Sequence, residues 1–232
     1  MLLILILACA GSRGGPAPEP APVPAPPTET TVAAHMAEHL AHATATRDAV
    51  VQGRFDEARE GFRWLAGHEP LAAPGGWTAE LQRIAATGMV ATDTAGQAAA
   101  LGALANTCGG CHQSLSTGVL MPERAAPPSG SDLPAHMARH AWASDRMWAA
   151  LIEPDGTAWE RSLRVLSPEG EEQATVDGWG LPASTAQRET AVHRLAHAAL
   201  ADDNPDTRAD LYGQILVECA GCHQLVRGEA VR

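Results

Sequence analysis

The sequence predicts an all-α fold arranged as two tandem four-helix bundles, and three observations predict it. Apolar residues recur at three- and four-residue steps through most of the chain, the period of amphipathic helices. Strand formers are scarce, with two Phe, one Tyr and few β-branched runs. The chain also repeats itself. Ala34-His35-Met36-Ala37-Glu38-His39 returns as Ala135-His136-Met137-Ala138-Arg139-His140, an offset of 136 − 35 = 101. Cys108-Gly109-Gly110-Cys111-His112 returns as Cys219-Ala220-Gly221-Cys222-His223, an offset of 219 − 108 = 111. Gly76-Trp77 pairs with Gly178-Trp179 in between, and the second copy gains its extra residues around 167–177, where Pro, Gly and Glu mark a longer loop.

Residues 1–30 read as a leader and linker. The apolar run from Met1 to Ala8 is far too short to cross a bilayer but suits the hydrophobic part of a secretion signal. Ile6-Leu7-Ala8-Cys9 resembles the lipobox of bacterial lipoproteins, which makes Cys9 the candidate acylated residue; the alternative is an ordinary cleavage site at Ala8-Cys9-Ala10 that discards Cys9. Residues 14–27 are rich in Pro and Ala, a semi-rigid spacer that favours the anchor.

The first unit, residues 31–126, carries helical patterns over 31–52, 54–66, 78–92 and 95–111, broken at Gly53, Gly67 and Pro74-Gly75-Gly76. Residues 127–130, Pro/Ser/Gly in composition, mark the boundary. The second unit, residues 131–232, carries helices over 133–152, 157–166, 185–201 and 205–222. Ser184 with Gln187 reads as a capping box, and Asn204-Pro205-Asp206 as an N-cap, an N1 proline and a first-turn acid. Four helices with short loops make an up-down-up-down bundle in each unit.

Each CxxCH reads as a covalent attachment site for a c-type haem, because two thiols three residues apart followed by an imidazole let one turn hold both thioethers and the proximal iron ligand. A zinc site would need a further Cys pair, and none exists: four of the five cysteines are in the two motifs and the fifth is Cys9. All 16 basic residues are Arg and the net charge is −11, which argues against nucleic acid and anionic lipid surfaces and favours a redox partner with a basic face.

A CxxCH at the end of the last helix of a four-helix unit, with a Met/His cluster near the start of the first helix, resembles the class II c-type cytochromes, the cytochrome c-prime group. The resemblance covers residues 31–112 and 133–223. It implies thioethers from Cys108 and Cys111 to one haem c and from Cys219 and Cys222 to a second, with His112 and His223 as proximal iron ligands. Familiar members carry one bundle per chain, so the duplication is a departure and their dimer habit does not transfer.

The sixth iron ligand decides whether the irons only pass electrons or also bind small molecules. Helical phase puts Val32, Met36, Leu40, Ala43 and Val50 on one inward stripe, matched by Leu133, Met137, Ala141, Ser144, Trp148 and Leu151. Met36 and Met137 are therefore the candidate distal ligands, His39 and His140 the alternatives, and an open site the third possibility. His35 and His136 read as surface or propionate contacts, and Trp64, Trp77, Trp148, Trp159 and Trp179 as packing against core or haem. His193 and His197 have metal-site spacing but no carboxylate partner evident nearby, and read as structural. The expectation is an electron carrier of the bacterial periplasm or cell envelope, lipid-anchored and not an enzyme; peroxidase chemistry lacks a recognisable distal apparatus. The alternative is a haem-based binder or sensor of diatomic gases.

Overall fold

The computed structural model describes residues 29–69, 76–117, 126, 129–167, 178–201, 204–229 and 231. The leader with Cys9, the Pro/Ala spacer and most of the 167–177 loop lie outside these residues. Among the described residues the chain is all helix and turn, with eight α-helices and no strand. They are α1 (Glu29–Val51), α2 (Phe55–Gly67), α3 (Trp77–Val90), α4 (Thr94–Ser114), α5 (Leu133–Ile152), α6 (Gly156–Leu166), α7 (Ala183–Ala199) and α8 (Pro205–Val226). None of the described helices is long and apolar enough to cross a membrane.

Caps set most of the starts. Asp93 accepts from the Gly96 amide at 2.8 Å, Asp132 from Ala135 at 2.9 Å, and Asp155 from Thr157 and Ala158 at 3.0 Å. Asn204 accepts from the Asp206 amide at 2.9 Å ahead of Pro205, as its sequence predicts. The capping box at Ser184 does not form. Helix α7 begins two residues earlier than predicted, at Ala183 behind Pro182, and the Thr185 hydroxyl donates to the Pro182 carbonyl at 2.6 Å. Proline supplies a preset φ at the entry, so Ser184 is taken into the first turn.

Consecutive helices pack against each other within each half. The most extensive pairing in the molecule nevertheless joins the halves, α4 against α8, with α4 on α5 and α1 on α8 beside it. Small residues permit this. A Cβ at Gly102 would lie 2.2 Å from the Ala209 carbonyl oxygen, and one at Gly213 would lie 3.0 Å from that of Ala98. Numbers rise along α4 as they fall along α8, so the pair is antiparallel, and Asn106 donating to Asp206 at 2.7 Å follows the same register. Since 213 − 102 and 209 − 98 both equal 111, the contact is reciprocal, as across a two-fold axis.

At the centre Arg47 of α1 pairs with Asp145 of α5 at 2.6 Å and lies over the Trp148 ring, and the Tyr212 hydroxyl donates to the Ser144 carbonyl at 3.3 Å. One continuous apolar core runs through both halves, from Phe62, Leu65 and Leu101 to Trp148, Trp159, Leu163 and Ile215. Each half is thus completed by the other.

Candidate functional site

Because successive helices alternate in direction, the start of α1, the end of α2, the start of α3 and the end of α4 gather at one end of the first half. The contacts agree: Trp64 and His68 of α2 and its cap meet His39 of α1, and the Trp77 ring of α3 lies where a Cβ at Gly110 of α4 would come within 2.8 Å. In the second half Trp179 lies 5.1 Å from His136, and the Glu189 carboxylate is close enough to raise the pKa of both Cys219 and Cys222.

Both CxxCH motifs lie within the closing turns of their helices, α4 running on to Ser114 and α8 to Val226. At 100° per residue, Cys108, Cys111 and His112 share one face, as do Cys219, Cys222 and His223. None of the four cysteines forms a disulfide. Burial pushes Cys108 and Cys219 up to about 12, with the neighbouring Cys111 and Cys222 adding to the effect, and burial raises those two as well. A sulfur in such a place is stable when neutral, as thiol or thioether. It is a poor thiolate, which weighs against both the zinc and the dithiol-redox uses of the motif.

The motif histidines are held across the two halves. His112 Nδ1–H donates to the Ile152 carbonyl of α5 at 3.0 Å, and His223 Nδ1–H donates to the Val51 carbonyl of α1 at 2.8 Å. Ile152 and Val51 are equivalent residues, 152 − 51 = 101. With Nδ1 committed to a carbonyl, each ring presents a bare Nε2, the usual second-shell arrangement of a metal-ligating imidazole. Burial lowers the pKa of His223, the Val51 hydrogen bond opposing it, so burial favours the neutral ligand form. A cleft of about 620 Å³ opens beside His112, between the end of α4 and the Glu153–Gly156 turn.

Near the starts of α1 and α5 lie two histidine clusters. In the first, ligand atoms of His35, His39 and His68 fall within 4.8 Å of one another. His35 stacks on His39 at 4.5 Å, and Trp64 stacks on both His42 and His68. His39 is buried, its Nε2 has no hydrogen-bond partner, and burial with the nearby His35, His68 and His42 lowers its pKa to about 4. The second cluster joins His136, His140 and Glu189, again within 4.8 Å. Burial works to raise the Glu189 carboxyl, but hydrogen bonds from His136 and His193 and the nearby His140 outweigh it and hold the group below its usual range.

Several sequence expectations change here. Met36 and Met137 are only half-buried, whereas His39 and His136 are buried. Val32 and Ala141, expected on the inward stripe, are exposed. The rest of the stripes is buried as expected at Ala43, Val50, Ser144, Trp148 and Leu151, and packing on two sides, α1 on α2 and α8 and α5 on α6 and α4, widens the buried arc to take in His39 and His136. His136, expected at the surface or on a propionate, is 2% exposed. His193 does have a carboxylate partner, Glu189, with its Nε2 2.8 Å from Oε1, while His197 is exposed. Two members of the clusters escaped sequence reasoning. Glu189 stands one helical turn before His193, a legible i,i+4 pair; His68 stands just past α2, four residues after Trp64.

The chain matches no family model, no curated protein and no solved structure.

Proposed function

We propose that the chain is a dihaem c-type cytochrome that transfers electrons in the bacterial cell envelope, each half holding one haem in a four-helix unit. The observation that carries the reading is the duplicated motif. Two CxxCH faces occupy equivalent places on pseudo-symmetric helices, and both proximal imidazoles have Nδ1 tied to a carbonyl with Nε2 left to bind iron. The residues fit the group. Cys108, Cys111, Cys219 and Cys222 are sulfurs outside any disulfide that favour a neutral state, and Cys108 and Cys219 pack against the apolar core.

Haem, when bound, supplies a reversible one-electron ferric–ferrous couple. The chain's own residues anchor it, orient the proximal ligand and keep water away; no bond-making step is required of them. Met36 and Met137, or His39, which is buried, and His140, are the side chains near the starts of α1 and α5 that would complete the coordination. With a net charge of −11, the surface favours a donor or acceptor with a basic face. The reading places the protein outside the cytoplasm, tethered through a lipid on Cys9.

The test is the absorption spectrum of the dithionite-reduced protein with and without carbon monoxide. An electron carrier with both axial positions filled gives low-spin bands that CO leaves unchanged. A high-spin spectrum that shifts on CO addition would replace this reading with the gas-binding one.

A further inference from the structure

We infer that His136, His140 and Glu189, with His193 beside them, form a binding site for a divalent first-row transition ion of the zinc class, which takes His140 for that ion and leaves Met137 for the iron of the second haem. Four observations carry it. Three imidazole nitrogens converge on a single carboxylate oxygen: from Glu189 Oε1, His136 Nε2 is 2.9 Å away, His193 Nε2 2.8 Å and His140 Nε2 3.6 Å. Donor atoms about 2.0–2.2 Å from a common metal stand roughly 3–3.6 Å from each other, so small movements would admit an ion between them. His140 Nε2 is buried and makes no hydrogen bond.

The donor set suits a cation, with the Glu189 carboxylate at its centre and the imidazoles of His136, His140 and His193 around it. One anion against a dipositive ion lowers the cost of keeping either in a site where Glu189 is only 8% exposed. His193 has the outer arrangement of a ligand: its Nδ1–H donates to the Leu166 carbonyl, which aims Nε2 at Glu189. Two or three imidazoles and a carboxylate select zinc, ferrous iron or copper over magnesium and calcium. The first half repeats the two α5 histidines as His35 and His39 of α1, but among the described residues the cluster there is completed by His68, with Glu38 3.9 Å from it, and not by a carboxylate at its centre.

The site rests on these side chains and not on haem attachment, so the two readings fail separately. The test measures zinc in the matured, full-length protein, stripped with EDTA, reloaded with Zn²⁺ and dialysed. Wild type is expected to retain one more zinc per chain than Glu189→Gln or His140→Ala. Zn²⁺ binding, followed by competition with a chelating dye, should weaken more than roughly 100-fold in either variant. Glu189→Gln is nearly isosteric and keeps the experiment decisive where His140→Ala unfolds. Loss of that zinc from a protein without haem would support this site while ending the cytochrome reading. Equal zinc in wild type and Glu189→Gln would overturn the site, as would unchanged zinc in His140→Ala accompanied by a low-spin to high-spin change, which would put His140 on a haem iron.

Discussion

Tyr212 is the one tyrosine of the chain, and it lies fully buried at the junction of the halves, 6.2 Å from Trp148 between ring centroids. Burial pushes its phenol up to about 12, with Arg47 and the Ser144 hydrogen bond opposing. A phenol that resists ionisation when folded releases its proton first from the unfolded chain, so the folded state binds more protons between pH 10 and 12 and stability falls as pH rises through that window, by on the order of 3 kcal/mol. The phenolate absorbance at 295 nm should therefore stay silent at pH 11 and rise together with unfolding. A reversible titration near pH 10 in the folded protein would contradict the buried placement. Single residues were unevenly legible in the sequence. The CxxCH cysteines and histidines announce themselves by spacing, because the haem attachment proposed for them requires neighbours in the chain. His68 and Glu189 do not, because what makes them partners is the meeting of different helices.

At the level of elements, α4 and α8 bear the closest approach, and their glycines are not equally tolerant. Alanine within a helix gains about 1 kcal/mol over glycine. At Gly102 the new methyl would lie 2.2 Å from a backbone oxygen that cannot turn aside, so the helices must separate at a cost of about 1–3 kcal/mol. At Gly213 the corresponding distance is 3.0 Å, which a small shift relieves. Gly102→Ala should lower the urea midpoint, while Gly213→Ala should leave it nearly unchanged; a stabilised Gly102→Ala protein would mean that the helices do not meet as described. The helices themselves were readable from period, breaks and caps: the pattern predicts residues 133–152, the span of α5, and Asn204 caps α8. Side chains were harder, since Ser184 yielded to the proline ahead of it and the buried arcs of α1 and α5 extend beyond the predicted stripes to His39 and His136, where a second neighbouring helix packs.

Over the whole molecule, the repeat was plain in the sequence and its consequence was not. Residue offsets cannot say that equivalent helices pair, yet the halves close on each other through α4 and α8 and share one core. Cys108 is 108 − 102 = 6 residues beyond the Gly102 contact and Cys219 is 219 − 209 = 10 beyond Ala209, in opposite directions. At about 1.5 Å per residue the two motifs stand roughly 24 Å apart along the pair. The proposed haems would then face opposite ends of the molecule, each proximal histidine steadied by the other half. The proposed electron-transfer function depends on two covalent haems per chain. The most direct measurement is the pyridine haemochrome of the matured protein set against intact-chain mass. The account predicts two haem c groups per chain, reduced to one by Cys108→Ala/Cys111→Ala and likewise by Cys219→Ala/Cys222→Ala; a colourless protein whose mass holds no porphyrin would contradict it.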